Sequence, residues 1–148
     1  MKLPVHAVTS AAFAGAVYAV TRSEAAALAV VVSGVFIDLD HVLDFLVDSG
    51  EDFSISNFFS WCEEMRGSRL FIWLHSLEFL ALLAGLAVWL RSDVLFGAVL
   101  GAGVHLVIDQ IGNRRPLGYE RSAWFYFLAY RWRSAFRISR MYRNWPRA

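Results

Sequence analysis

The sequence predicts an all-α protein: a four-helix membrane-embedded bundle with a C-terminal amphipathic surface helix. Three observations predict it. The 148 residues are 57% hydrophobic and only 18% charged, against about 45–50% and about 25% in ordinary globular chains. A domain this small has too little interior to hide the excess from water. Four apolar stretches are separated by short polar breaks. Charge is also segregated: residues 1–113 hold five basic and twelve acidic side chains, net −7, whereas residues 114–148 hold nine arginines and one acid, net +8. The same composition excludes disorder, which needs low hydrophobicity and high net charge. A single cysteine, Cys62, excludes a disulfide framework and a cysteine zinc ribbon.

Taken in order, the first stretch runs from about Val5 to Val20 and is broken by Thr21-Arg22-Ser23-Glu24, where Ser23 or Thr21 would cap the next helix. Met1-Lys2 ahead of an apolar run has something of a secretory signal, but a single charge and no small-x-small cleavage site argue for retention. The second stretch starts at Ala25 and continues through Asp38, Asp40, His41 and Asp44 to about Val47. Residues 48–69 alternate polar and aromatic side chains and read as a loop or short interfacial helix, with Asp48, Glu51, Asp52, Glu63 and Glu64 solvated. The third stretch, Leu70–Leu90, matches the roughly 20 residues of a bilayer crossing. After the turn Arg91-Ser92-Asp93, the fourth, Val94–Gly112, carries Gly97, Gly101 and Gly103, small residues that let helices approach closely. Residues 1–113 thus form a membrane-embedded helical metal-site domain and residues 114–148 a basic aromatic segment. Arginines there, interleaved with Trp132, Phe136 and Ile138, suggest a helix lying on the membrane surface.

All four histidines, His6, His41, His75 and His105, fall within the apolar stretches. Carboxylates accompany three of them: Asp38, Asp40, His41 and Asp44 form D-x-D-H-x-x-D, His75 precedes Glu78 by three, and His105 precedes Asp109 by four. On a helix such neighbours share a face, so each pair can offer an imidazole nitrogen and a carboxylate oxygen to one ion. A carboxylate in mid-membrane costs about 2.5–3.5 kcal/mol on insertion scales, a cost offset when the group pairs or binds a cation. Mixed nitrogen and oxygen donors suit zinc first, with manganese or iron as alternatives. Across four crossings of alternating direction, His6 lies near a start, Asp38–Asp44 near an end, His75 and Glu78 near a start and His105 and Asp109 near an end. All four positions therefore fall on one side of the membrane. The basic tail emerges on the same side, and accumulated arginine marks that side as cytoplasmic.

In this order and spacing the chain resembles the bacterial and archaeal membrane-bound metal-dependent hydrolases of the YdjM type. The resemblance rests on His6, Asp38-Leu39-Asp40-His41, His75-Ser76 and His105-Leu106-Val107-Ile108-Asp109, and covers roughly residues 1–113. It departs at Leu70 and Phe71, where that family often carries His-Arg. It implies a hydrolase. A more distant likeness to zinc-dependent phospholipase C implies phosphoester substrates. The resulting expectation is that His6, Asp40, His41, His75, His105 and Asp109 hold one or two divalent ions, which bring a bound water near pKa 7. Asp38 or Glu78 takes its proton, Asp44 and Asn113 support the ligands, and Arg114 and Arg115 neutralise an anionic substrate or lipid head group. The expected partners are membrane lipids and a small-molecule or lipid substrate, with no nucleic acid. The expected location is the inner membrane, with site and termini facing the cytoplasm. The competing readings are a non-catalytic metal site or cation pathway, and a soluble helical domain with a polar core.

Overall fold

A computed structural model describes residues 3–113 and 116–146. Its helices are α1 (Leu3–Thr21), α2 (Glu24–Phe36), α3 (Asp40–Asp48), α4 (Ile55–Glu63), α5 (Leu77–Leu90), α6 (Asp93–Gly112), α7 (Leu128–Arg133) and α8 (Ile138–Met141). Two-residue strands β1 (Glu120–Arg121) and β2 (Tyr142–Arg143) pair antiparallel, Glu120 opposite Arg143. The chain divides into two compact units, one of residues 1–37 and 77–113, the other of residues 38–76 and 114–148.

The first unit holds α1, α2, α5 and α6, built from the four apolar stretches. Serines start two of them: Ser23 Oγ accepts the Ala26 amide and Ser92 Oγ accepts the Leu95 amide, satisfying donors the first helical turn leaves free. The close contact is between α2 and α6, and glycine makes it. A Cβ on Gly97 would meet the Ala26 carbonyl, and one on Gly101 would meet the Val30 carbonyl and Ser33 Oγ. A Cβ on Gly34 would in turn meet Ser10 of α1. Gly103 faces ordinary space, with Leu80 3.8 Å away, so it plays no part in the approach. Polarity is inverted relative to a water-soluble protein. Val8, Val20, Leu28, Leu82, Trp89, Val107 and Ile111 are exposed while His6, Ser10, His105 and Asp109 are buried. Hydrocarbon rather than water outside would produce this pattern.

Among the described residues, three helical segments are long and apolar enough to cross a membrane: Pro4–Thr21, Glu24–Asp48 and Asp93–Gly112. The helix of the third stretch begins only at Leu77 and has 14 residues, about 21 Å of rise against a hydrocarbon core of about 30 Å. The reason is local: residues 70–74 are apolar but non-helical, the amides of Phe71, Ile72 and Leu74 being held by the carboxylates of Asp44 and Asp40.

In the second unit the 3₁₀ turn Ile37–Leu39 leads into α3. Phe45, fully buried, is met edge-on by Phe53, Phe58 and Trp61 at 5.7–6.0 Å between ring centroids, a favoured aromatic geometry. Ser54 caps α4 through the Asn57 amide. Asp48 is more than a solvated loop carboxylate, since it accepts the Ser68 hydroxyl at 2.6 Å and the Arg69 amide at 3.1 Å. The C-terminal segment differs from the expected single surface helix. It forms two short helices, α7 and α8, separated by Ala135 and Phe136 with φ of 53° and 57°, a left-handed conformation that ends a helix. Tertiary hydrogen bonds win there: the Leu70 amide donates to the Phe136 carbonyl and the Ile138 amide to the Ser68 carbonyl.

Candidate metal centre

In the first unit, α6 presents His105 and Asp109 one turn apart, and α1 brings His6 to them. His6 Nε2 is 3.2 Å from Asp109 Oδ1, and His105 Nε2 is 3.6 Å from Asp109 Oδ2. The two imidazoles stack with centroids 3.9 Å apart. His105 Nδ1 lies 2.8 Å from the Gly34 carbonyl. A carbonyl can only accept, so Nδ1 carries the hydrogen. In the neutral ring Nε2 then turns its lone pair toward a carboxylate, and two acceptors facing each other in a buried site call for a proton or a metal ion between them. His6 Nδ1 is buried with no hydrogen-bond partner among the described residues. Asn113 donates to Asp109 Oδ1 at 2.9 Å and so fixes that carboxylate. This donor set fits a divalent ion with nitrogen and oxygen ligands.

In the second unit, the turn into α3 presents Asp38, Asp40 and His41, and His75 meets them from a non-helical segment rather than from the first turn of α5. His75 lies between two carboxylates: Nδ1 is 3.0 Å from Asp40 Oδ1 and Nε2 is 3.1 Å from Asp38 Oδ1. His41 Nε2 is 3.9 Å from the same Asp38 oxygen. Asp40, His41 and His75 each offer a donor atom, all within 4.8 Å of one another. Burial alone would push His75 down, but the hydrogen bonds and charges of Asp38 and Asp40 raise it to about 9. At neutral pH a metal ion taken up there displaces a proton.

The remaining expected residues are placed as follows. Asp44 is buried and accepts the Phe71 and Ile72 amides at 3.0 and 3.3 Å. Glu78 is exposed in the first turn of α5. Arg114 and Arg115 lie outside the described residues. Among the described residues Arg121 and Arg131 are buried, although Arg131 is expected at the membrane surface. Arg121 donates to Tyr126 Oη at 2.7 Å and stacks over the Phe125 and Tyr126 rings. Arg131 is 0% exposed and donates to the carbonyls of His75, Ile72 and Phe125. Sequence reasoning misses both, since a phenol or a backbone carbonyl that receives a guanidinium leaves no charge pattern in the sequence.

Residues 1–142 match the family described as YdjM inner membrane protein, so the match extends through most of the C-terminal segment as well. No curated protein and no solved structure matches the chain significantly.

Proposed function

The chain belongs to the YdjM inner membrane protein family, and from that premise we propose that it is a membrane-bound metal-dependent hydrolase. Its substrate would be a phosphoester or lipid-like molecule at the cytoplasmic face. The observation that carries this reading is the state of His75: fully enclosed, set between two carboxylates, and joined by side chains that are not enclosed. Asp38 and His41 are 32% and 26% exposed, so that end of the donor set is open to water, as a catalytic site requires and a structural one does not.

A bound divalent ion would supply a nucleophilic water at neutral pH and neutralise developing negative charge. The chain's own residues do the rest. Asp40, His41 and His75 would hold the ion, and whichever His75 nitrogen served as ligand, the other faces a carboxylate that orients the ring. Asp38, the accessible carboxylate, takes the proton. His6, His105 and Asp109 form a donor set of the same chemistry on α1 and α6. Exposed Arg133, Arg137, Arg140 and Arg143, with Trp124 and Trp132 also exposed, face anionic lipid head groups, each arginine contributing about 1 kcal/mol. Protein purified in detergent is expected to retain zinc, manganese or iron and to hydrolyse phosphoester or lipid substrates. Chelation should abolish turnover and re-addition of metal restore it; metal-independent turnover would overturn the reading.

The enclosure of His6, His105 and Asp109, each at most 5% exposed, favours a second reading in which an ion pins α1 to α6 without chemistry. Chelation then lowers the melting temperature sharply, with no activity to lose.

All four apolar helices are proposed to be bilayer-embedded, both termini facing the cytoplasm, by the excess of arginine after residue 113. An Asp93→Cys variant should therefore be labelled by an impermeant maleimide from the periplasmic side, and a Ser139→Cys variant should be protected. The native thiol will not interfere, because burial and the charges of Asp38, Asp44 and Glu63 push Cys62 up to about 12, far from a reactive thiolate. The opposite labelling pattern would invert the orientation.

A further inference from the structure

We infer that Arg131, with Asp44, is a positioning residue that aims His75. The inference rests on the reading of His75 as a metal ligand. His75 is carried by residues 70–76, which form neither helix nor extended ladder. The His75 amide bonds the Ile72 carbonyl at 3.1 Å and the Leu70 amide the Phe136 carbonyl, and other peptide groups of the segment find side-chain partners. Arg131 supplies the donors. Nη1 donates to the His75 carbonyl at 2.9 Å and to the Phe125 carbonyl at 3.3 Å, and Nη2 donates to the Ile72 carbonyl at 3.1 Å. Carboxylates supply the acceptors: Asp44 takes the Phe71 and Ile72 amides, and Asp40 takes the Leu74 amide at 3.0 Å. Ile72, between the two clamps, has φ of 34°. A β-branched residue is rarely found there, and such backbone persists only where its surroundings over-determine it. A guanidinium withdrawn wholly from solvent carries a desolvation cost that a topology signal at the surface would not incur. Its rigid fork can bridge two carbonyls of one segment, which a lysine ammonium on a flexible stem cannot do with fixed geometry.

The experiment is cobalt(II) titration of the intact protein in detergent, following visible absorption, with helicity measured in parallel. Arg131→Lys and Asp44→Asn are expected to keep wild-type helicity but bind cobalt about 10–100-fold more weakly, the usual loss when a group behind a ligand is removed. Their absorption bands should also be altered, because the imidazole is no longer held in one orientation. A merely structural role would lower thermal stability and leave affinity and spectrum per folded molecule unchanged, and that result overturns the inference. Should Arg131→Lys fail to fold, Asp44→Asn, which leaves the arginine in place, decides by the same two readouts. Wild-type protein that takes up no cobalt would remove the metal reading and this inference together, whereas cobalt-binding wild type with unaffected variants would remove this inference alone.

Discussion

Gly101→Ala is expected to destabilise the protein, while Gly85→Ala leaves it unchanged or stabilises it. Both glycines are helical, and alanine gains about 1 kcal/mol of helix propensity at either position. What differs is the neighbour. A Cβ at Gly85 has nothing within 4 Å, but one at Gly101 would press on the Val30 carbonyl as well as on Ser33 Oγ. The hydroxyl can rotate away. The carbonyl belongs to the backbone of α2 and can yield only if α2 and α6 separate, at an overpacking cost of about 1–3 kcal/mol or more. In hydrocarbon these helices have no hydrophobic effect to draw them together and depend on close packing, so a larger residue such as valine should separate them outright. Gly97→Ala should behave like Gly101→Ala, because its obstacle is likewise a carbonyl, that of Ala26. Thermal unfolding in detergent, followed by helicity, measures the difference. Equal melting temperatures for the Gly101 and Gly85 variants would show that the α2–α6 approach is looser than described.

That contact also shows what a sequence can carry. Small residues at four-residue spacing in an apolar helix announce close approach, and Gly97 and Gly101 provide it, but spacing alone does not separate them from Gly103, which faces open packing. The donors on α6 are equally legible, because His105 and Asp109 lie one turn apart on a regular helix and the i,i+4 rule applies. His75 is less so. Phe71, Ile72 and Leu74 are as apolar as a helix interior, yet their amides are claimed by Asp44 and Asp40, and the Ile72 and His75 carbonyls by Arg131. Hydropathy records the side chains and is blind to that competition for the backbone. The same blindness produces the single surface helix expected in the C-terminal segment. Its arginines and aromatics have a plausible helical period, but two left-handed residues and the backbone bonds of Phe136 and Ile138 break it.

His105→Ala is expected to reduce bound metal by more than the 10–100-fold that loss of a supporting group produces, because it removes a ligand nitrogen. His75→Ala should do the same in the other donor set, and His41→Ala, whose imidazole is a third donor there, likewise. Loss of metal alone does not prove ligation, since His105 also bonds the Gly34 carbonyl and faces Asp109. Without the His105 imidazole, that carboxylate would keep only His6 and Asn113, and part of what offsets its cost of about 2.5–3.5 kcal/mol on insertion scales would be lost. The double variant His105→Ala/Asp109→Asn separates the two effects. Removing the carboxylate's charge should recover part of the lost thermal stability, because a charge that had lost one of its partners is gone. It should not recover metal, because two donors are now missing where one was. If these residues form only a buried hydrogen-bonded network, the wild type and every variant carry the same background metal, and stability alone responds. Metal content measured on helical, monodisperse protein therefore decides the matter. Wild-type stoichiometry in His41→Ala, His75→Ala and His105→Ala alike would mean that the imidazoles serve the packing of the helices and hold no ion.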